Sequence, residues 1–161
     1  MVDALTFQAQ VRQMETLLFR VSMSYLGNAE DAADAVQDAL TKAWEKQHLL
    51  KRTEQFCPWV MRILTNRCKD ILRRRKRRSF FPLEEDTLTA EMPLPQSPVM
   101  EAVSLLKPEL RTVVLLRYMD GYSVLEIAHS LGLPEGTVKT RLHTARKCLK
   151  HTLLVEWEED R

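Results

Sequence analysis

Glycine is scarce in this chain of 161 residues: only four are present. None belongs to a phosphate-binding loop pattern. Cysteine is scarcer still. Cys57, Cys68 and Cys148 are odd in number and widely spaced, and they form no C-x-x-C pair. Neither a zinc site nor a disulfide framework is indicated. No apolar run reaches the length of about 18 residues that a membrane-spanning helix needs. Met1 to Arg12 hold no basic segment followed by an apolar one, so no secretory signal is read. The chain is therefore expected in the cytoplasm, with reduced thiols. There is no H-E-x-x-H and no Ser/His/Asp or Cys/His order with a recognisable local signature. His48, His129 and His151 are isolated from one another in sequence. No enzyme activity, no cofactor and no metal site are expected.

What is present is the composition of a globular protein, with 45% apolar and 29% charged residues. The net charge of +2 hides a strong segregation. Residues 1–50 carry seven acids (Asp3, Glu15, Glu30, Asp31, Asp34, Asp38, Glu45) against four bases. Residues 62–78 carry nine bases against the single Asp70. Residues 79–101 carry five acids and no base, and residues 102–155 carry eight bases against four acids. An acidic run, Glu156 to Asp160 around Trp157, closes the sequence. Such blocks imply separate surfaces with separate partners.

The periodicity is helical throughout. Phe7, Val11, Met14, Leu18, Val21 and Tyr25 recur at three- and four-residue steps. Gly27 is placed to end this helix, and Asn28 to cap a second. In the second, Val36, Leu40, Ala43 and Trp44 form the inner stripe, with Asp31, Asp34, Gln37 and Asp38 on the other side. Residues 47–57 read as a loop. Pro58 suits the first turn of a third helix. Its apolar face is Val60, Ile63, Leu64, Ile71 and Leu72, while Arg62, Asn66, Lys69 and Arg73 follow one another along a different face. The stretch from Arg73 to Arg78 is wholly basic. Trp44, Phe56 and Trp59 are expected in the core, and Cys57 and Cys68 as small buried hydrophobes.

Four prolines (82, 93, 95 and 98) and a surplus of acids mark a flexible linker. Beyond it, one helix is expected near Val99–Leu106 and another from Pro108 to about Tyr118. Asp120-Gly121 is a turn, and Ser123 and Glu126 have capping-box spacing. Gly132 stops the short helix that follows, and Pro134 opens the last one, with Val138, Leu142, Ala145 and Leu149 as its core stripe. The fold class is all-α: two small helical domains joined by a flexible linker, the C-terminal one a helix-turn-helix domain. The boundaries are 1–79, linker 80–98, 99–155 and an acidic tail at 156–161.

The segment from Ser123 to Arg141 has helix-turn-helix dimensions, with Ala128 small where two helices must approach. The outer side of the last helix carries Lys139, His143, Arg146 and Lys150, flanked by Thr137, Thr140, Arg141 and Thr144. Such side chains reach phosphates, guanine edges and thymine methyls. The basic third helix reads either as a solvated tail or as a second nucleic-acid contact. Asp70, alone among bases, is expected to pair with Arg74 or to accept from a base amino group. The Asp34/Gln37/Asp38 face is either a solvated face stabilised by the helix dipole or a docking site for a basic protein surface.

Three segments resemble the extracytoplasmic-function sigma factors of bacterial RNA polymerase. Ala29–Trp44 is similar to the family's region that docks on the polymerase clamp helices. Trp59–Arg73 is similar to the helix that reads the −10 promoter element. Leu106–Ser123, with the helix-turn-helix after it, is similar to the domain that reads the −35 element. The resemblance implies that Asp34, Gln37 and Asp38 face the clamp helices of the largest subunit of core RNA polymerase. It implies that Arg62, Asn66, Lys69 and Arg73 line the −10 single strand. It further implies that the loop from Gln47 to Cys57 helps hold a base flipped out of the non-template strand. Thr137, Lys139, Thr140, Arg141, His143 and Arg146 would meet the −35 duplex. Arg67 and Lys69 depart from the pattern, standing where relatives often have apolar residues. Leu133–Lys139 fits it well.

The function expected is therefore that of a sigma factor, which binds core RNA polymerase and directs promoter-specific initiation without catalysis. The acidic linker is expected to thread the RNA-exit route. No fused sensor domain and no membrane insertion are expected. An anti-sigma factor is a possible further partner that would hide both DNA surfaces, and no residue identifies one. Two other classes remain open on residues alone. One is an operator-binding helix-turn-helix dimer, which would not need the Asp34/Gln37/Asp38 face. The other is a small nuclease, which would need a metal-binding carboxylate cluster.

Overall fold

The computed structural model describes residues 2–78 and 97–159, the last four as backbone only. Seven α-helices and two short 3-10 turns make up the described residues, with no strand among them. The chain divides into two units, one built on the first three helices and the other on the last four. The linker read at 80–98 lies outside the described residues except for Ser97 and Pro98, and so do the side chains of the acidic tail.

In the first unit, α1 (Ala4–Leu26) begins where the Asp3 carboxylate accepts from Thr6 N at 3.0 Å and from Thr6 Oγ1 at 2.7 Å. Those hydrogen bonds, the Thr6 backbone N–H first, hold the Asp3 carboxyl below its usual range. The helix ends at Gly27, whose φ of 74° a side chain would resist. Asn28 then caps α2 (Ala29–Lys46) by accepting from Asp31 N at 2.9 Å. After two 3-10 turns, Gln47–Leu49 and Thr53–Gln55, α3 runs from Phe56 to Arg78. It takes in Phe56 and Cys57, the last two residues of the stretch read as loop, and Pro58 lies in its first turn as expected.

The three helices pack mutually. Phe7, Met14, Leu18, Val21 and Tyr25 of α1 are buried as the stripe predicts. So are Val60 and Leu64 of α3, joined by Met61, Thr65 and Cys68. The inner seam of α2 is Ala32, Ala35, Ala39 and Ala43 with Val36, small residues that let its axis lie close to its neighbours. Trp44 is not core: it remains 43% exposed, its ring edge-on to Phe7 at a centroid distance of 5.0 Å. Its indole is too wide for a seam lined by alanines. Phe56 is buried against Phe7, while Trp59 and Cys57 are only half-buried.

The second unit opens with α4 (Pro98–Ser104), capped by Ser97, whose Oγ accepts from Met100 N at 3.2 Å. Pro98 is therefore the first residue of a helix, where its missing N–H has no partner to lose. Next come α5 (Pro108–Tyr118), α6 (Val124–Leu131) and α7 (Glu135–Glu159). The capping box at α6 is reciprocal: Glu126 N donates to Ser123 Oγ at 3.1 Å and Ser123 N to Glu126 Oε2 at 3.0 Å. Gly132, at φ 66°, ends α6. Ile127, Ala128, Leu131, Val138, Leu142 and Ala145 are buried as predicted. Among the described residues, no helix is long and apolar enough to cross a membrane.

Candidate functional site

Three polar surfaces emerge from these helices. The first is the outer side of α2. Burying the alanine seam turns Asp34, Gln37 and Asp38 outward, and all three are exposed. They line a groove of about 440 Å³ whose other wall is basic, with Arg67, Arg74 and Arg75 of α3. The sequence reading kept these two charge blocks apart. The packing of α2 on α3 brings them together. Arg67 pairs with Asp38 at 3.0 Å, and Arg75 pairs with Asp31 while also donating to the Leu26 carbonyl at 2.9 Å. Asp31 is thus a structural residue that ties the head of α2 to α3. Asp34 makes no ion pair among the described residues.

The second surface runs along α3. Arg62, Asn66 and Arg73 are exposed and Lys69 is half-buried, all on one side of the helix. Asp70 pairs with Arg73 at 3.1 Å, not with Arg74 as the sequence suggested. Residues three and four apart both neighbour a helical carboxylate. Arg74 instead lines the groove facing α2. The Asp70–Arg73 pair is exposed on both sides, so a phosphate can displace the carboxylate at little cost. The arginines and the lysine of the last turn, Arg75 to Arg78, also complement the helix dipole. In the loop before α3, Gln47 is buried, and its Oε1 has no hydrogen-bond partner among the described residues.

The third surface is the outer side of α7. Lys139, Thr140, His143 and Arg146 are exposed, as are Thr144 and Lys150. Thr137 and Arg141 are half-buried at the border of the stripe. The Thr140 hydroxyl donates to the Gly136 carbonyl at 2.9 Å, which leaves it an acceptor towards any ligand. Arg146 is the one the sequence did not foresee in detail. Its Nε donates to the Tyr118 hydroxyl of α5 at 2.8 Å. No local pattern signals this pair, because its members lie 28 residues apart.

Two buried polar groups tie helices together inside the units. Burial pushes the Cys68 thiol up to about 11, and its sulfur lies 3.7 Å from Ser22 Oγ. Ser22 in turn donates to the Ala32 carbonyl at 3.0 Å, so the head of α2 is fixed from inside the unit as well as by Arg75. In the second unit Arg111 is buried, and desolvation lowers its pKa. One of its terminal nitrogens donates to the Ser104 carbonyl at 3.3 Å, closing the C-terminal end of α4 against α5.

Comparison with known proteins matches residues 10–78 to Sigma-70 region 2 and residues 96–149 to Sigma-70, region 4. The ECF RNA polymerase sigma factor SigM of Mycobacterium tuberculosis is 33% identical over 154 residues, which cover 94% of this chain and 79% of that protein. The ECF RNA polymerase sigma factor SigW of Bacillus subtilis is 29% identical over 154 residues, covering 84% of this chain and 82% of that one. A solved structure, the sigma factor RpoE in complex with the anti-sigma factor NepR from Bartonella quintana, aligns with a TM-score of 0.73 at 25% identity. That alignment covers 92% of this chain and 97% of that chain.

Proposed function

The chain belongs to the ECF RNA polymerase sigma factors, and from that membership we propose how its three polar surfaces divide the work of promoter recognition. As a sigma factor it binds core RNA polymerase and directs promoter-specific transcription initiation through −10 and −35 elements. It is an initiation factor and not an enzyme. The observation that carries this is the succession of region 2 and region 4 in one chain, in that order.

The residue assignments go further. Asp34, Gln37 and Asp38 are the docking face for the basic clamp helices of the largest polymerase subunit. Their common exposure on α2 supports this. Asp34 offers its charge outright, whereas Asp38 must be released from Arg67. Arg62, Asn66, Lys69 and Arg73 line the −10 single strand, a reading supported by their shared side of α3. The loop from Gln47 to Cys57 receives a flipped base, and the Gln47 Oε1, without a hydrogen-bond partner among the described residues, supports it. Thr137, Lys139, Thr140, Arg141, His143 and Arg146 meet the −35 duplex from α7. In domain terms, residues 1–79 dock on polymerase and read the −10 element, residues 99–155 read the −35 element, and residues 80–98 join them. Two weak modules on one chain gain effective concentration at a promoter with the right spacer. Because its polymerase partner works there, the protein is placed in the cytoplasm. An anti-sigma factor, such as accompanies the solved relative, is a further partner.

The test is to mix the protein with bacterial core RNA polymerase, run gel filtration, and transcribe a fragmented genomic library in vitro. Co-elution with new, discrete start sites is expected, and the aligned starts yield both elements. Tight duplex binding by the protein alone, without co-elution, would overturn this reading in favour of an operator-binding regulator.

A further inference from the structure

An arginine on an open helix face samples many rotamers, and binding must freeze them. Arg146 is different. Its Nε edge is held by the Tyr118 hydroxyl at 2.8 Å, and its guanidinium carbon lies 5.9 Å from the centre of the Tyr118 ring, within cation–π reach. Tyr118 is the last residue of α5, and α5 packs on α7. Its backbone is therefore anchored in a packed helix, while the residue as a whole is 58% exposed. A tyrosine this open adds little to burial. Holding the arginine by Nε alone leaves both terminal amino groups unspent among the described residues. Those two nitrogens form the fork that grips two oxygens of one anion.

Arg146 stands eleven residues beyond Glu135, the first residue of α7, or about 16 Å along the axis. Base edges are met by the first turns of a recognition helix, and residues further on reach the strand backbone. Resting on the assignment of α7 to the −35 duplex, we propose that Tyr118 is a positioning residue that pre-orders Arg146 to clamp a DNA backbone phosphate. The contact carries affinity without sequence preference. It fixes how far the helix slides along the groove, so that Lys139 near the helix start meets its base pair in register.

The experiment measures binding of the full chain to fluorescent duplexes of random sequence across a salt series. It compares the parent, Lys139→Ala, Arg146→Ala, Tyr118→Phe and the Tyr118→Phe/Arg146→Ala double variant. Arg146→Ala is expected to weaken binding and to flatten the salt dependence by about one unit of log–log slope, the mark of one lost phosphate contact. Tyr118→Phe keeps the charge and loses only the held geometry. It is expected to weaken binding about three- to tenfold with the salt slope unchanged. In the Arg146→Ala background it should then do nothing. Parent-like binding by Tyr118→Phe, beside a weakened Arg146→Ala, overturns the positioning role and leaves the −35 assignment standing. An equal loss from Tyr118→Phe with and without Arg146 also overturns it, since Tyr118 would then touch DNA itself. If Arg146→Ala binds like the parent, the clamp fails whatever Lys139→Ala does; the −35 assignment itself fails only if Lys139→Ala in the holoenzyme also shows no loss on any mapped promoter.

Discussion

Arg67 of α3 reaches the Asp38 carboxylate of α2 twice, at 3.0 Å through a terminal nitrogen and at 3.1 Å through Nε. The two residues face each other across one groove, Asp38 on the proposed polymerase-docking face of α2 and Arg67 on the basic wall formed by α3. Asp38 is exposed and Arg67 half-exposed, so solvent screens the pair, which contributes about 1 kcal/mol or less and yields to a competing charge.

That pairing decides which acid tests the docking face more cleanly. Asp34→Arg reverses a charge with no ion-pair partner of its own among the described residues, whereas Asp38→Arg also sets two cations side by side. Each is expected to weaken core polymerase binding about tenfold or more, with the melting temperature close to the parent's for Asp34→Arg. Fluorescence anisotropy against core enzyme measures this. Parent-like affinity in Asp34→Arg would remove the face from the interface.

Lys139→Ala tests the −35 assignment from the other end of α7. If a base contact is lost, holoenzyme binding to its mapped promoters falls by about 1–3 kcal/mol, concentrated at one base-pair position. Substituted promoter duplexes locate that position. No loss on any promoter would strike Lys139 from the reading set.

The thiols should separate by burial. In the folded protein iodoacetamide is expected to label exposed Cys148 and to spare Cys68, which reacts only after unfolding. The raised Cys68 pKa also has a sign. Between its ordinary 9.0 and about 11, the unfolded chain loses the proton first, so the folded state is progressively destabilised as pH rises through that window. The loss should reach about 2 kcal/mol near pH 11 and be absent in Cys68→Ala. Urea titrations at pH 8 and 10.5 provide the comparison. An identical pH response from Cys68→Ala would show that other groups carry it.

Ser123→Ala removes one arm of the capping box at α6. A cost of about 1 kcal/mol is expected, a fall of roughly 4–8 °C in the melting of a unit this size. Calorimetry of the full chain reads it. An unchanged transition would mean that the Glu126 arm alone suffices.

Elements governed by local rules were legible from sequence: the Phe7-to-Tyr25 stripe, the Gly27 and Gly132 stops, and the Asn28 cap. So were the exposed row on α7 and the row on α3, because a helix interior fixes its exterior. What escaped depended on distant neighbours. Asp31 meets Arg75 across 44 positions and Arg146 meets Tyr118 across 28, and no spacing announces either. Trp44 escapes the sequence pattern because indole size argues for burial, while the alanine seam beside it leaves too little room. Asp70 chose Arg73 over Arg74 because the second arginine turns towards α2.

The alanine seam of α2 also governs how this helix can change over evolutionary time. Ala32, Ala35, Ala39 and Ala43 are at most 1% exposed, so a larger side chain at any of them must push α2 off its neighbours. The outward positions, Asp34, Gln37, Asp38 and Thr41, meet no such limit. Drift is therefore channelled to one side of a single helix. The proposed contact with polymerase can be retuned residue by residue while the register that presents it stays put.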